Sequence, residues 1–280
     1  MTGEKRIDLH THTTCSDGIY PPEQLIEKAA FVGLSVISVT DHDTVACLDR
    51  AIEHGKRMGL EEVVPGVELS SEENKHEVHI LGYYMDYHDP DFLRALRAFR
   101  EERLNRARKM AKILQDLGLD VTFDEILMAA GSSMNIGRPH VAKVLLDKGY
   151  VSSTQEAFDK YIAEGRPAYV PKFKISPEEA VELILKAGGV PVYAHPGKTG
   201  DPDHVVYLVK YGLMGVEVWH PENSPEIQKV LIEIADRFGL IKTGGTDFHG
   251  EGRSKAPLGS IDVPYESYIE LKRARSRAKI

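Results

Sequence analysis

The chain has 280 residues and a formal net charge of −8, from 35 Lys and Arg against 43 Asp and Glu. That balance excludes a generally basic nucleic-acid coat, and 42% hydrophobic with 28% charged residues is the profile of a globular protein able to build its own core. The opening MTGEKRIDLH lacks the apolar stretch of a signal peptide, and no run of about 18 apolar residues occurs, so a cytoplasmic protein without a membrane span is expected. The two cysteines, Cys15 and Cys47, read accordingly as reduced thiols.

In chain order, short apolar runs alternate with helix-like stretches. The candidate strands are Arg6–His12, Val36–Thr40, Val63–Leu69, Val78–Tyr83, Val190–Ala194, Gly215–Trp219 and Ile241–Thr246. This alternation predicts an α/β architecture with a parallel sheet, close to a distorted (β/α)7 barrel. Helix starts are signalled by Thr122 with Glu125, Ser153 with Glu156, and Ser176 with Pro177 and Glu179. Residues 91–168 hold no convincing strand and read as a helical insertion, leaving 1–90 and 169–280 as the α/β body. The first inserted helix carries Leu96, Phe99, Ala107, Met110, Leu114 and Leu117 near one face and ends at Gly118, although Arg103 interrupts that stripe. From Arg94 to Lys112 the same helix has a local excess of six positive charges, read as a solvated face or, more sharply, as a basic rim over an anionic substrate.

The unusual number is twelve histidines. His10 and His12 are two apart at the end of the first strand, so both imidazoles project to one face and can reach one cation, with Asp17 following on the next turn. The second strand ends in Thr40-Asp41-His42-Asp43. The third contains Glu68 between Val67 and Leu69, where burial without a partner would be costly. The fourth offers His76 and His79, the fifth His195, the seventh Asp247 and His249. Any one cluster has an ordinary structural explanation. Five or more strand ends carrying His, Asp or Glu instead match a parallel barrel that assembles its site from several strands. A donor set without thiolates favours manganese, iron(II) or zinc over copper(I) or an iron–sulfur cluster, and nine ligands call for two or three ions. Neither Cys15 nor Cys47 is expected to ligate. His54, His88 and His204 lack a partner motif, and His220 is only an even candidate for touching substrate.

The motifs Asp8-Leu9-His10-Thr11-His12, Ser16-Asp17-Gly18, Thr40-Asp41-His42-Asp43-Thr44, Glu68, Val78-His79-Ile80-Leu81-Gly82, Ala194-His195-Pro196-Gly197 and Thr246-Asp247-Phe248-His249 resemble the PHP (polymerase and histidinol phosphatase) domain family. The resemblance runs from about Arg6 to Val263 and extends to the branch of nucleoside 3′,5′-bisphosphate phosphatases and 5′→3′ exoribonucleases. It implies a trinuclear centre. His10, His12, Glu68 and Asp247 would hold one ion, Glu68 would bridge to a second with His79 and His195, and Asp17, His42 and His249 would hold the third. It also favours His79 over His76, makes Asp41 and Asp43 acceptors that orient His42, and places the stretch Asn135-Ile136-Gly137-Arg138-Pro139-His140 over the site. There Arg138 could fork onto a phosphate and His140 add a second donor. Lys172, Lys174, Lys198 and Arg253 are weaker candidates, each explained singly by solvent exposure.

The expected activity is hydrolysis of a phosphate ester by metal-activated water, with manganese first and iron or zinc as alternatives. His195 and Asp247 are the candidate catalytic residues, and the sequence does not choose between His195 and a water as proton donor to the leaving oxygen. The expected substrate is the 3′-phosphate of a nucleoside bisphosphate or the 5′ end of short RNA, with no stable nucleic-acid partner. Histidinol phosphate or a cyclic sugar phosphate is the alternative ester, and a metal-dependent amidohydrolase or a non-catalytic metal module the alternative class. An amidohydrolase commonly wants a bridging lysine, for which only Lys172 and Lys174 stand near a suitable place.

Overall fold

In the computed structural model, residues 5–73, 76–131, 136–171, 173, 175–199 and 202–275 are described. Asn135, Lys172 and Lys174 lie outside them. All seven anticipated strands are present: β1 (Arg6–Asp8), β2 (Leu34–Val39), β3 (Glu62–Glu73), β4 (His76–Tyr83), β5 (Val190–Tyr193), β6 (Gly215–Trp219) and β7 (Ile241–Gly244). They form one sheet in chain order. The sheet is open rather than a closed barrel. Chain beyond β1 and β7 meets only through a parallel bridge between Thr11 and Phe248 and bonds such as Leu9 N–H to the Gly244 carbonyl.

Strand direction departs from expectation. β1–β2–β3 and β5–β6–β7 pair in parallel, but β4 runs antiparallel to both β3 and β5. The reason is local: only two residues separate Glu73 from His76, too few for the helical crossover that a parallel pair would need. The parallel ladder of β2 with β3 stops at the Val39–Pro65 pair, and β3 continues to Glu73 against β4, with single parallel bridges from Glu68 to His42 and from Ser71 to Ile175 on its other side. Glu68 is therefore mid-strand, and His79 lies in the first half of β4 rather than at its end.

The chain divides into two compact units. The first, residues 1–94 and 174–280, contains the sheet with helices α1 (Pro22–Phe31) and α2 (Leu48–Met58), and later α7 (Pro177–Lys186), α8 (Pro196–Thr199), α9 (Asp203–Val209), α10 (Pro225–Phe238) and α11 (Tyr265–Ala274). Its core stacks Ile7, Leu9, Val36, Val64, Leu81 and Val192 on one face of the strands. The strands alternate less than a half-exposed sheet would, because most positions are buried on both faces.

The second unit, residues 95–173, is helical. It holds most of α3 (Pro90–Asp116), then α4 (Phe123–Ala130), α5 (Arg138–Asp147), α6 (Thr154–Ala157) and a π-helical turn over Phe158–Ile162. Met110, Leu114, Ile126, Val141 and Leu145 form its own core. Thr122 and Glu125 cap α4 reciprocally, as Ser176 and Glu179 cap α7. Ser153 accepts from the Glu156 N–H, but the Glu156 carboxylate turns to Ser152 instead. Leu117 is exposed rather than part of the buried stripe, since the helix has ended at Asp116.

The cysteines correct an expectation. Cys15 and Cys47 are joined as a disulfide, so the thiol argument for a reducing compartment lapses. The Asp41 carboxylate ties the 13–16 loop to the end of β2, which brings Cys15 beside the start of α2. A cross-link spanning 32 residues constrains the unfolded chain by about 3–4 kcal/mol. Reduction should accordingly lower the melting temperature by several degrees; identical melts with and without reductant, in a protein whose thiols titrate as free, would remove the bond from the account. Among the described residues, no helix is long and apolar enough to cross a membrane.

Candidate metal centre

The centre forms where the chain leaves the strands on one end of the sheet. Beyond β1, the Thr40 N–H donates to the Thr11 carbonyl and the His12 N–H to that of Phe248, which keeps residues 9–12 extended between the flanking segments. His10 and His12 thus share a face, and both are fully buried. Gly245 is required by this packing, because a Cβ there would stand 2.5 Å from the His10 nitrogen.

All nine anticipated ligands converge on one another, with Glu68 at the middle. Its Oε2 lies 3.3 Å from His10 Nε2, 3.2 Å from His12 Nε2 and 3.1 Å from His42 Nδ1. Its Oε1 lies 2.7 Å from His79 Nδ1 and 2.9 Å from His195 Nε2. Asp247 Oδ1 stands 3.4 Å from His10 Nε2 and 3.1 Å from His12 Nε2. Asp17 meets His249 Nε2 at 3.2 Å and His42 Nε2 at 3.7 Å, and the His12 and His249 rings stack at 4.1 Å. Among the anticipated ligands three sets bring their donor atoms within reach of one cation: His10, His12, Glu68 and Asp247; His12, Asp17, His42 and His249; and His42, Glu68 and His79; a further set joins His10 to Glu217 and His220. His195 is outside these sets but keeps its place on Glu68. His76 is exposed, whereas His79 is buried.

Two further observations make the donor set fit divalent cations. His10 Nε2, His12 Nε2, Asp17 Oδ1, His42 Nδ1, Glu68 Oε2 and Asp247 Oδ1 are buried without a hydrogen-bond partner, and all point into the cluster. Buried polar atoms left in this way are costly unless something supplies the missing bonds. In addition, His195 and Asp247 adopt positive φ of 32° and 51°. Strain of about 1–3 kcal/mol each is typical of such residues and persists where the surroundings dictate a side chain's direction.

The electrostatics agree. Burial opposes the charged imidazole of His12, but Asp247 and Glu68 raise it to about 10; burial likewise opposes that of His79, which Glu68 raises to about 9. Burial dominates at His42, which falls to about 3. Burial raises Glu68 and Asp247, yet the surrounding imidazoles carry both well below the usual carboxylate range. Protons on His12 and His79 thus hold the place a cation would take, so uptake of divalent ions releases protons and weakens in acid.

One expectation about the supporting residues changes. Asp41 does not orient His42: its oxygens accept from the Thr13 N–H, the Thr13 hydroxyl and the Ser16 hydroxyl, which fixes the loop leading to Asp17. Asp43 accepts from the Ser70 N–H. The residue that does orient ligands is Glu217 on β6, fully buried, with Oε1 2.9 Å from His10 Nδ1 and Oε2 accepting from the His195 N–H at 2.8 Å. Sequence reasoning passed over it, although a glutamate inside Gly-Val-Glu-Val-Trp carries the same signal as Glu68 in Gly-Val-Glu-Leu. Its neighbour His220 is buried, with Nε2 3.7 Å from Asp247 Oδ2.

In the helical unit, Gly137 and His140 close the start of α5, the Gly137 N–H donating to His140 Nδ1 at 3.1 Å. The Arg138 guanidinium lies over the rings of Phe158 and Tyr169 at 5.5 and 5.8 Å.

Comparison with known proteins supplies the remaining evidence. A "3′,5′-nucleoside bisphosphate phosphatase" from Chromobacterium violaceum is 34% identical over 264 residues, covering 92% of this chain and 92% of that protein. The "5′-3′ exoribonuclease Rnm" of Salmonella typhimurium is 32% identical, covering 86% of this chain and 84% of its own. A crystal structure from Bifidobacterium adolescentis, assigned as a metal-dependent phosphoesterase, superposes with a TM-score of 0.82 at 30% identity, over 96% of each chain. The model of the PHP domain matches residues 8–166, which contain six of the nine ligand candidates. The chain belongs to the PHP domain family.

Proposed function

We propose that the chain, a metal-dependent phosphoric ester hydrolase by family, removes the 3′-phosphate of nucleoside 3′,5′-bisphosphates or trims short RNA from its 5′ end. The observation that carries the reading is the set of buried, partnerless donor atoms around Glu68; the substrate class is supported by the relatives' activities. Two to three divalent ions are proposed, manganese first and iron or zinc as alternatives. His10, His12, Glu68 and Asp247 would hold one, Glu68 with His79 and His195 another, and Asp17, His42 and His249 a third. When bound, such ions supply Lewis-acid stabilisation to a phosphoryl group and a nucleophile drawn from water near neutral pH.

The chain's own residues do the rest. Glu217 accepts from His10 Nδ1, so Nε2 of that ring faces the cluster as a lone-pair donor. Asp41 holds the loop that presents Asp17, and the backbone at His195 and Asp247 aims both side chains inward. Hydrolysis breaks the ester P–O bond, the water oxygen joins phosphorus, and a proton passes to the leaving oxygen from His195 or from water. Arg138 and His140 are the proposed substrate contacts from the helical unit. Their support is chemical, a planar fork and an imidazole suited to a phosphate.

The test compares kcat/KM for a nucleoside 3′,5′-bisphosphate, a 5′-monophosphate and histidinol phosphate on metal-loaded protein, with the bisphosphate expected to lead. Arg138→Ala should lower kcat/KM for the bisphosphate about 10-fold or more relative to an aryl phosphate. A fall in melting temperature with equal losses on both would instead assign Arg138 to holding Phe158 and Tyr169.

A further inference from the structure

The Cys15–Cys47 disulfide closes a ring of chain that contains two of the nine ligand candidates, Asp17 and His42, and leaves the other seven outside it. The two ends of the bond differ. Cys47 is buried at the start of α2, where its carbonyl accepts from the Ala51 N–H, and Leu48 beside it is buried as well. Cys15 is half-buried on the 13–18 loop, two residues before Asp17. The bond therefore fastens a loop to a packed helix. Both sulfurs also lie within 4.8 Å of the Asp41 carboxylate, which receives Thr13 and Ser16.

Asp17 depends on such a tie more than the other candidates do. Glu68 and His79 stand within strands, and His10 and His12 on extended chain bonded to its neighbours. Asp17 stands on a loop, and its side chain is 44% exposed against 1% for Glu68 and 0% for His12. The remaining ties of that loop are hydrogen bonds. The Ser16 and Gly18 N–H groups donate to the Thr13 carbonyl at 3.1 and 3.0 Å, and the exposed Arg253 donates to the Asp17 carbonyl at 2.9 Å. Each such bond contributes little net stability in contact with water.

We propose that the Cys15–Cys47 bond is a redox-sensitive tether that sets the affinity of one ion, the one assigned to Asp17, His42 and His249, and that a dithiol reductant weakens that ion selectively. This rests on the metal reading above and adds control of a single site within it. In the reduction, a thiolate of the dithiol attacks Cys15 Sγ, the more accessible sulfur, and the bond to Cys47 breaks. Cys47 leaves as a thiolate and takes up a proton. The second thiol of the reductant then displaces Cys15, so the protein gains two electrons and two protons while the reductant ends as its own disulfide. Asp17 is left on a loop free to move away from His42 and His249. His10, His12, Glu68, His79, His195 and Asp247, all outside the ring, keep their places.

The experiment prepares the full chain in its disulfide form with an oxidant and in its dithiol form with dithiothreitol, removes the reagents, and verifies each form by thiol titration. Manganese binding to the chelator-stripped forms is followed by calorimetry, beside the double variant Cys15→Ser with Cys47→Ser. In the reduced protein and in the variant, one ion should bind about 10-fold or more weakly while the others are unchanged, and reoxidation of the wild type should restore it. Amide hydrogen exchange of the metal-free protein is the second readout. Reduction should speed exchange at Ser16 and Gly18 and leave His12 and Thr40 protected. Equal weakening of every ion, or none, would overturn the tether, as would a protein that the oxidant cannot cross-link. If the disulfide form binds no ion, the metal reading fails instead. Exchange alone then decides: faster exchange at Ser16 and Gly18 on reduction supports the tether, and unchanged exchange overturns it.

Discussion

Glu68→Gln should lower phosphate release by at least about 10³-fold and cost the protein at least one bound ion. The side chain is fully buried, and its two oxygens lie within 3.3 Å of five imidazoles. An amide keeps the shape but presents one neutral oxygen and one N–H donor, so it cannot bridge two cations. The loss estimated here is the several kcal/mol that Lewis-acid stabilisation contributes, at about 1.36 kcal/mol per decade. Elemental analysis and phosphate release on the same preparation check it. A fully active variant with unchanged metal content would show that Glu68 is an ordinary buried carboxylate.

Glu217→Gln should be milder and different in kind. Glu217 touches the ligands through His10 Nδ1 and the His195 N–H. Losing its charge weakens the tautomer that turns His10 Nε2 inward, an effect worth about 10–100-fold in metal affinity or activity. Raising the metal concentration should recover much of the rate, which separates this positioning role from loss of a ligand. A variant whose rate stays low at saturating metal, with a lowered melting temperature, would make Glu217 a packing residue instead.

The elements were legible where the physics is local. Seven apolar runs became seven strands, and capping pairs such as Thr122 with Glu125 formed because their bonds lie within four residues. The direction of β4 was not legible, since the apolar run of a strand reads alike whether it pairs in parallel or antiparallel, and only the pairing with β3 and β5 decides it. The ligand candidates stood out because His and Asp at successive strand ends have no structural reason to recur. Glu217 carried an equal signal and was passed over, as it belongs to no motif around it. Asp41 was misread because its partners, Thr13 and Ser16, lie 25 or more residues earlier in the chain. A similar distance hid the disulfide, whose cysteines lie 32 residues apart.

The most direct measurement strips the protein with a chelator, assays phosphate release from a nucleoside 3′,5′-bisphosphate, and repeats the assay as manganese is restored with metal content followed by elemental analysis. The account predicts no release from the stripped protein and full activity at two to three ions per chain. A stripped, metal-free protein that releases phosphate at the same rate would contradict it.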